Sequence, residues 1–147
     1  MSNTSAIFIA GNSRSGTTMM GRVLGNNEKV FTFHELHFFE QLWAPGKDVN
    51  DISIEDAATL FSKLISLQRQ GYLQQRTPEK FYNEALSAVS SIKQRMWQPY
   101  VFEQFLLNES RINQKEIPCE QTPRNVFFIN EILELYPDAK IVCMVVF

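Results

Sequence analysis

Three observations predict an α/β domain with a largely parallel sheet. Short apolar runs alternate along the chain with segments in which apolar residues recur at helical spacing. The last run, Ile141 to Phe147, is continuously apolar, which is typical of a strand covered on both faces. With 147 residues, 44% of them apolar and 20% charged, the chain is long enough for one domain with a sizeable core.

The first half of the chain is predicted to contain two strands, each followed by a helical segment. Residues 6–10 form a buried strand, and residues 30–33 form a second strand that leads through a loop into a helix. Between them, residues 16–25 form a helix with an apolar face of Met19, Met20, Val23 and Leu24.

The middle of the chain, about residues 50–113, is predicted to be a helical insert. Ser53 is a good N-cap with two acidic residues behind it, and the helix that it begins ends at Gly71. Pro78 stands at the first position of the next helix, and a further helix covers Tyr100 to Leu107. A strand at residues 117–120 follows, and then a helix that ends at Pro137.

Composition excludes several classes of function. A net charge of −2 gives no electrostatic footprint for nucleic acid or for an anionic membrane. No apolar run approaches the roughly 20 residues that span a bilayer, and the amino terminus lacks the basic start of a signal peptide. Cys119 and Cys143 lie in apolar runs without metal-ligand spacing. We therefore expect buried free thiols, no metal site and a cytoplasmic protein.

The most informative motif is the glycine loop between the first strand and the first helix. Its spacing, Gly11-x-x-x-x-Gly16, is that of a Walker loop, but Thr17-Thr18 follows where Lys-Ser/Thr is expected. The cation lies inside the loop instead, as Arg14. A strand, a glycine loop and a helix start present backbone N–H groups to an anion, so the sequence predicts a site for a phosphate-like group.

Two segments resemble the sulfotransferases that use 3′-phosphoadenosine 5′-phosphosulfate (PAPS). Arg14-Ser15-Gly16-Thr17-Thr18 is similar to their phosphosulfate loop, and Gln121-Thr122-Pro123 with the following helix and strand is similar to their Thr-Pro segment. The resemblance implies a P-loop-like three-layer fold. It also implies that PAPS is the sulfuryl donor and that Arg14, Ser15, Gly16, Thr17 and Thr18 hold its 5′-phosphosulfate, through the amides of residues 15–18, the hydroxyls of both threonines and the Arg14 guanidinium.

The acceptor, a hydroxyl or an amine of unknown identity, needs a base at the mouth of the same cleft. Glu35 follows the second strand at a carboxyl end, where ligands of open α/β sheets bind. Sulfotransferases of the tyrosylprotein type place a catalytic glutamate there, so the resemblance makes Glu35 the candidate base and, with Arg14, the catalytic pair. His34 and His37 are the alternatives, since imidazole is a common base and cytosolic members of the family use a histidine.

Two departures from the family pattern bear on activity. Many relatives have a lysine before the Thr-Pro pair, where this chain has Gln121; Arg124 is near enough in sequence to replace it. The family continues beyond the final strand with an arginine-bearing turn that binds the 3′-phosphate, but the expected arginine position is Val146 and the sequence ends at Phe147. We therefore expect residues 1–147 to be the N-terminal portion of a sulfotransferase domain, truncated after a central strand and impaired in activity.

Two other hypotheses about the function fit the same sequence. A P-loop kinase or another nucleotide-binding protein would share the glycine loop, although the Walker lysine and an obvious magnesium-binding aspartate are missing. A non-catalytic remnant of a sulfotransferase would carry the same motifs without turnover.

Overall fold

The computed structural model of the protein describes residues 5–12, 14–43 and 50–145. Four parallel strands form one sheet in the order β2-β3-β1-β4. These strands are β1 (Ile7–Gly11), β2 (Val30–Thr32), β3 (Ile117–Glu120) and β4 (Lys140–Met144). The predicted α/β class with a parallel sheet is confirmed.

Five α-helices and three shorter helical turns connect and cover these strands in the described parts of the chain. The helices are α1 (Thr17–Gly25), α2 (Ile54–Gln70), α3 (Tyr82–Ser90), α4 (Gln98–Ile112) and α5 (Ile129–Leu135). A π-helical turn covers Phe38–Leu42, and 3₁₀ turns at Pro78–Phe81 and Pro123–Phe128 lead into α3 and α5. No described helix is both long and apolar enough to cross a bilayer.

Helix α2 has the ends that local chemistry predicts. The Ser53 side chain accepts a hydrogen bond from the Asp56 N–H at 3.1 Å, and Gly71 ends the helix with φ = 90°.

Helix α4 is longer than predicted at both ends. It begins at Gln98 with a proline in its first turn, and it continues past Leu107 to Ile112. Buried Glu109 lies in that extension and pairs with Arg69 at 2.9 Å, a contact that apolar periodicity does not reveal.

The core lies on both faces of the sheet, and neighbouring residues of β1 point into different parts of it. Phe8 belongs to a large cluster with the helices α2 and α4, in which Phe38 and Phe102 stack with ring centroids 4.1 Å apart. Ile9 belongs to a smaller cluster with Val30 and Cys119. This alternation is the period of two that a strand imposes on its side chains.

The predicted apolar face of α1 is only half correct. Met20 and Leu24 pack against the smaller cluster, whereas Met19 and Val23 are 65% and 57% exposed. Helix α1 turns small residues toward the sheet instead. Gly21 is buried, its carbonyl accepts a hydrogen bond from Thr32 Oγ1 at 2.7 Å, and a Cβ at Gly21 would lie 2.9 Å from Thr32 Cγ2.

The prediction that β4 is covered on both faces holds only in part for the residues described: Ile141 packs against the larger cluster and Val142 and Met144 against the smaller one, but all three stay partly exposed. The strand pairs with β1 at one edge, and Cys143 is exposed because this part of the sheet is thinly covered. The expected buried thiol is found at Cys119, where burial raises the pKa to about 12. Val146, the position at which the family pattern predicts an arginine, lies outside the described residues.

Candidate functional site

Three connections that follow neighbouring strands meet at the carboxyl edge of the sheet. The glycine loop follows β1, the segment with Glu35 follows β2, and the Thr-Pro turn follows β3. A cavity of about 530 Å³ lies where they converge. The residues that line it are Arg14, Gly16, Thr17, Thr18, Met19, Arg22, Glu35 and Pro123. The fold thus brings Glu35 to the same cavity as four of the five residues predicted to bind the donor.

The glycine loop has a backbone that only particular residues allow. Gly16 has φ = 94°, and Arg14 also lies in the left-handed region with φ = 63°. Gly11 leaves no space for a side chain, since a Cβ there would lie 2.5 Å from Ser15 Oγ and 2.7 Å from the Met144 carbonyl oxygen. The two glycines therefore serve different purposes: Gly11 permits a close approach, and Gly16 permits a positive φ.

The start of α1 supplies the features that an anion requires. Helix α1 begins directly after Gly16, so its first N–H groups lack acceptors within the helix and carry the positive end of its dipole. Ser15 is 7% exposed, and its Oγ is buried without a hydrogen-bond partner in the part of the chain that the structure describes. An unpaired buried hydroxyl beside a helix start suits a ligand with several acceptor oxygens.

One part of the predicted anion cradle needs correction. The amide of Ser15 donates to the carbonyl oxygen of Asn12 at 3.0 Å, which closes the loop on itself. Because of this bond, the Ser15 amide no longer belongs to the amides of residues 15–18 that were predicted to bind the anion. The amides at the start of α1 and the hydroxyl of Ser15 are then the groups suited to an anion.

The segment that carries Glu35 is held by the Thr-Pro turn. Thr122 Oγ1 accepts hydrogen bonds from the N–H groups of Leu36 at 3.0 Å and His37 at 3.2 Å. The Phe33 N–H donates to the carbonyl oxygen of Cys119 at 2.8 Å. Glu35 is therefore fixed on both sides by residues of β3 and of the turn that follows it.

Behind Thr122 lies a buried carboxylate that the sequence reasoning missed. Glu120 is 2% exposed and accepts hydrogen bonds from the Thr122 N–H at 3.2 Å, the Thr122 hydroxyl and the Asn125 side-chain amide. Burial raises the pKa of Glu120, and the hydrogen bonds from Thr122 and Asn125 offset part of this rise. A glutamate at the end of an otherwise apolar strand was the available signal, because a buried acid requires partners.

Of the two histidines, His37 is the one in contact with Glu35. Its Nε2 lies 3.1 Å from Glu35 Oε2, and its Nδ1 is hydrogen-bonded to Glu40 Oε1. The other oxygen of Glu40 lies 2.5 Å from Arg124 Nε. His34 lines a neighbouring cavity of about 470 Å³ together with Glu35 and His37, and its backbone N–H donates to the side-chain oxygen of Gln68.

The two candidate replacements for the family lysine take different positions. Gln121 is 7% exposed and accepts a hydrogen bond from Thr18 Oγ1 at 3.5 Å, so it lies against the start of α1. The Arg124 guanidinium contacts Glu40 and lies 5.3 Å from the centroid of the Phe127 ring. Arg22, which the sequence reasoning missed, lines the cavity one helical turn after Thr18. The available signal for Arg22 was its position four residues after Thr18, because residues four apart lie on the same face of a helix.

The profile of the sulfotransferase family matches residues 6–145, which include the glycine loop, Glu35 and the Thr-Pro turn. The chain belongs to the sulfotransferase family. The resemblance drawn from the two motifs is confirmed, and it supports a sulfotransferase-like function. No curated protein and no solved structure matches this sulfotransferase-family chain significantly. Its described residues contain no group of three or more His, Cys, Asp or Glu side chains that could hold a metal ion.

Proposed function

We propose that this protein transfers a sulfuryl group from PAPS to an acceptor hydroxyl or amine. Membership of the sulfotransferase family supports the reaction class. The observation that supports the rest is a cavity lined both by the anion-binding loop, with Arg14 and Thr17, and by the carboxylate of Glu35.

The glycine loop is suited to the 5′-phosphosulfate of the donor. The Arg14 side chain is exposed at the cavity and can place its guanidinium on sulfate or phosphate oxygens. The unpaired hydroxyl of Ser15 and the first amides of α1 add uncharged donors. PAPS supplies an activated sulfuryl group, and these residues would orient it and stabilise the charge on its oxygens.

Glu35 is suited to accept the proton of the acceptor group. A carboxylate at the cavity wall can deprotonate a hydroxyl or an amine that enters between Glu35 and the loop. Gln121 lies against the start of α1, and Arg22 lines the cavity from the last turn of that helix. Both would stabilise charge on the departing phosphate oxygen, Gln121 by a hydrogen bond and Arg22 by its charge.

The donor assignment is tested by calorimetric titration with adenosine 3′,5′-bisphosphate, the nucleotide product of PAPS. Arg14→Ala should weaken binding about 10- to 150-fold, because one charge-assisted hydrogen bond contributes roughly 1.5–3 kcal/mol. Arg111→Ala is the matched control, since Arg111 is an exposed arginine that lines a different cavity. It should leave binding unchanged.

Chelation of divalent metal separates this proposal from the kinase alternative. Binding should persist in excess EDTA, whereas a nucleotide held through magnesium would be lost. Equal weakening by Arg14→Ala and Arg111→Ala would contradict the role of the loop. If the nucleotide binds, mixing the protein with ³⁵S-labelled PAPS and a panel of hydroxyl and amine acceptors then tests transfer itself.

A further inference from the structure

A second cavity, of about 440 Å³, lies between the start of α4 and the end of α5. Its walls include three aromatic rings: Trp97 precedes α4, Tyr100 lies in the first turn of α4, and Tyr136 follows α5. The cavity shares none of its described lining residues with the cavities around the glycine loop and Glu35. Its volume is in the range of sites that hold a small organic molecule.

The aromatic walls of this cavity are held in place by contacts within the chain. Tyr136 is buried, its hydroxyl donates to the Pro99 carbonyl oxygen at 2.6 Å, and its ring stacks on Phe8 of β1 with centroids 5.8 Å apart. The Trp97 ring lies edge-on to that of Trp43, with centroids 5.9 Å apart. A ligand would therefore meet rings that are already positioned, so little side-chain freedom would be lost when it binds.

A carboxylate lies among these rings. Glu103 follows Tyr100 by three positions in α4, lines the cavity and is only 3% exposed. Burial, and then the charge of Glu103, raise the pKa of both Tyr100 and Tyr136, so the carboxylate acts on two of the aromatic walls. Glu103 and Trp97 also have partners within the chain, so a ligand would add to these contacts and need not replace them.

A cation of the chain already lies against one of the rings. The Arg95 guanidinium is 4.7 Å from the centroid of the Trp97 ring, and its Nε lies 2.6 Å from Asp51 Oδ1. Asp51 thus balances the charge of Arg95, whereas the cavity is lined in addition by Glu103 and by the exposed Glu134. Among the described residues that line it, acidic side chains outnumber basic ones, which favours a cation over an anion.

We propose that this cavity binds an organic cation of the quaternary ammonium type, with small apolar groups around the charged nitrogen. The cation would lie among the rings of Trp97, Tyr100 and Tyr136, which attract positive charge through their faces and cover its apolar groups. The Glu103 carboxylate would supply the opposite charge in a site from which water is largely excluded. This site goes beyond the proposed sulfuryl transfer and does not rest on it.

The test is a titration followed by ¹H–¹⁵N NMR of the tryptophan indole groups. The chain has two tryptophans, and the signal that is lost in Trp97→Phe identifies Trp97. The probes are choline, the uncharged isostere 3,3-dimethylbutan-1-ol and the anion 3,3-dimethylbutanoate. We expect choline to shift the Trp97 signal in a saturable manner at millimolar concentration. Both analogues should bind about tenfold more weakly or worse, because neither carries a positive charge.

Two sets of variants separate the carboxylate from the rings. Glu103→Gln should weaken choline binding about tenfold, because the opposite charge is lost. Glu116→Gln, which changes an exposed acid elsewhere, should not alter binding. Tyr100→Leu removes an aromatic ring and should weaken binding about three- to tenfold, whereas Tyr100→Phe keeps the ring and should bind choline as the original protein does.

Equal binding of choline and 3,3-dimethylbutan-1-ol would overturn the proposal, since the cavity would then select only apolar shape. So would tighter binding of the anion, the absence of saturable shifts with choline, or an affinity that neither Glu103→Gln nor Tyr100→Leu lowers. Circular dichroism shows whether each variant is folded, and if Glu103→Gln is not, the Tyr100 pair decides the question. Binding of adenosine 3′,5′-bisphosphate, measured in the same samples, reports on the donor site separately.

Discussion

The glycine loop and the Glu35 segment line one cavity, but they are specified in different ways. The turn of the loop is shaped by residues between Asn12 and Gly16, through the positive φ of Arg14 and Gly16 and the bond from the Ser15 amide to Asn12. The Glu35 segment is held by Thr122, whose hydroxyl accepts from amides 86 and 85 positions away. The anion-binding part of the site is therefore encoded locally, and the placement of the base depends on the assembled sheet.

This difference means that the two parts can be damaged separately. Changes in the loop should affect nucleotide binding and the packing of β1 against β4. Changes in the Thr122 network should displace Glu35 and leave the loop able to bind. The following variants test that separation.

Gly11→Ala should have the largest effect. A methyl group would lie 2.7 Å from the Met144 carbonyl oxygen, which belongs to the backbone of β4 and cannot rotate away. We expect the free energy of unfolding to fall by about 3 kcal/mol, as in other overpacked sites. Urea denaturation measures the loss. Gly16→Ala is the comparison: it has space but a φ of 94°, so it should cost only about 1 kcal/mol. Equal losses would show that close approach at Gly11 is not the cause.

Thr122→Val should separate folding of the base segment from nucleotide binding. It removes the acceptor of two buried amides and the donor to Glu120, so we expect a loss of about 2 kcal/mol in the free energy of unfolding. Binding of adenosine 3′,5′-bisphosphate should stay near that of the original protein, while any sulfuryl transfer falls. Thr32→Val, which removes one hydrogen bond to Gly21, is the matched control and should cost about 1 kcal/mol. A large loss of binding in Thr122→Val would show that the two parts are coupled.

Glu120 should make stability depend on pH. Its pKa in the folded protein is raised by burial above the ordinary value of 4.5. Between these two values the folded chain binds more protons than the unfolded chain, so its contribution is fully present below pH 4.5 and is lost as pH rises toward the folded pKa. Glu120→Gln should remove this pH dependence. The lost contribution to the free energy of unfolding is about 1.4 kcal/mol for each unit that separates the two pKa values. Denaturation curves measured upward from pH 4.5 test it, and parallel slopes for both proteins would contradict it.

Arg22→Ala should have the smallest effect. Arg22 is exposed at the edge of the cavity, where solvent screens its charge. We expect it to weaken adenosine 3′,5′-bisphosphate binding about two- to fivefold, with Arg111→Ala as the unchanged control. The weakening should diminish at high salt. An effect as large as that of Arg14→Ala would place Arg22 directly on the ligand.

The order of the strands and helices could be predicted because each depends on neighbours in the sequence. The Ser53 cap bonds an amide three residues on, and Gly71 ends α2 through its own φ. The same range of interaction shapes the glycine loop, and the loop with the Thr-Pro turn was enough to indicate the family. Helix α4 was predicted too short because its last turn is stabilised by the pair of Arg69 and Glu109, residues 40 positions apart.

The sequence by itself determined the fold class, the glycine loop with its cation at Arg14, and Glu35 as a candidate at a strand end. Periodicity shows which residues of an element are apolar but not which neighbour covers them, so the exposure of Met19, Val23 and Cys143 was decided by the tertiary structure. The tertiary structure also determined that His37, and not His34, contacts Glu35. The contacts responsible, from Thr122 and Arg124, join parts of the chain that become neighbours only when β2 and β3 pair in the sheet.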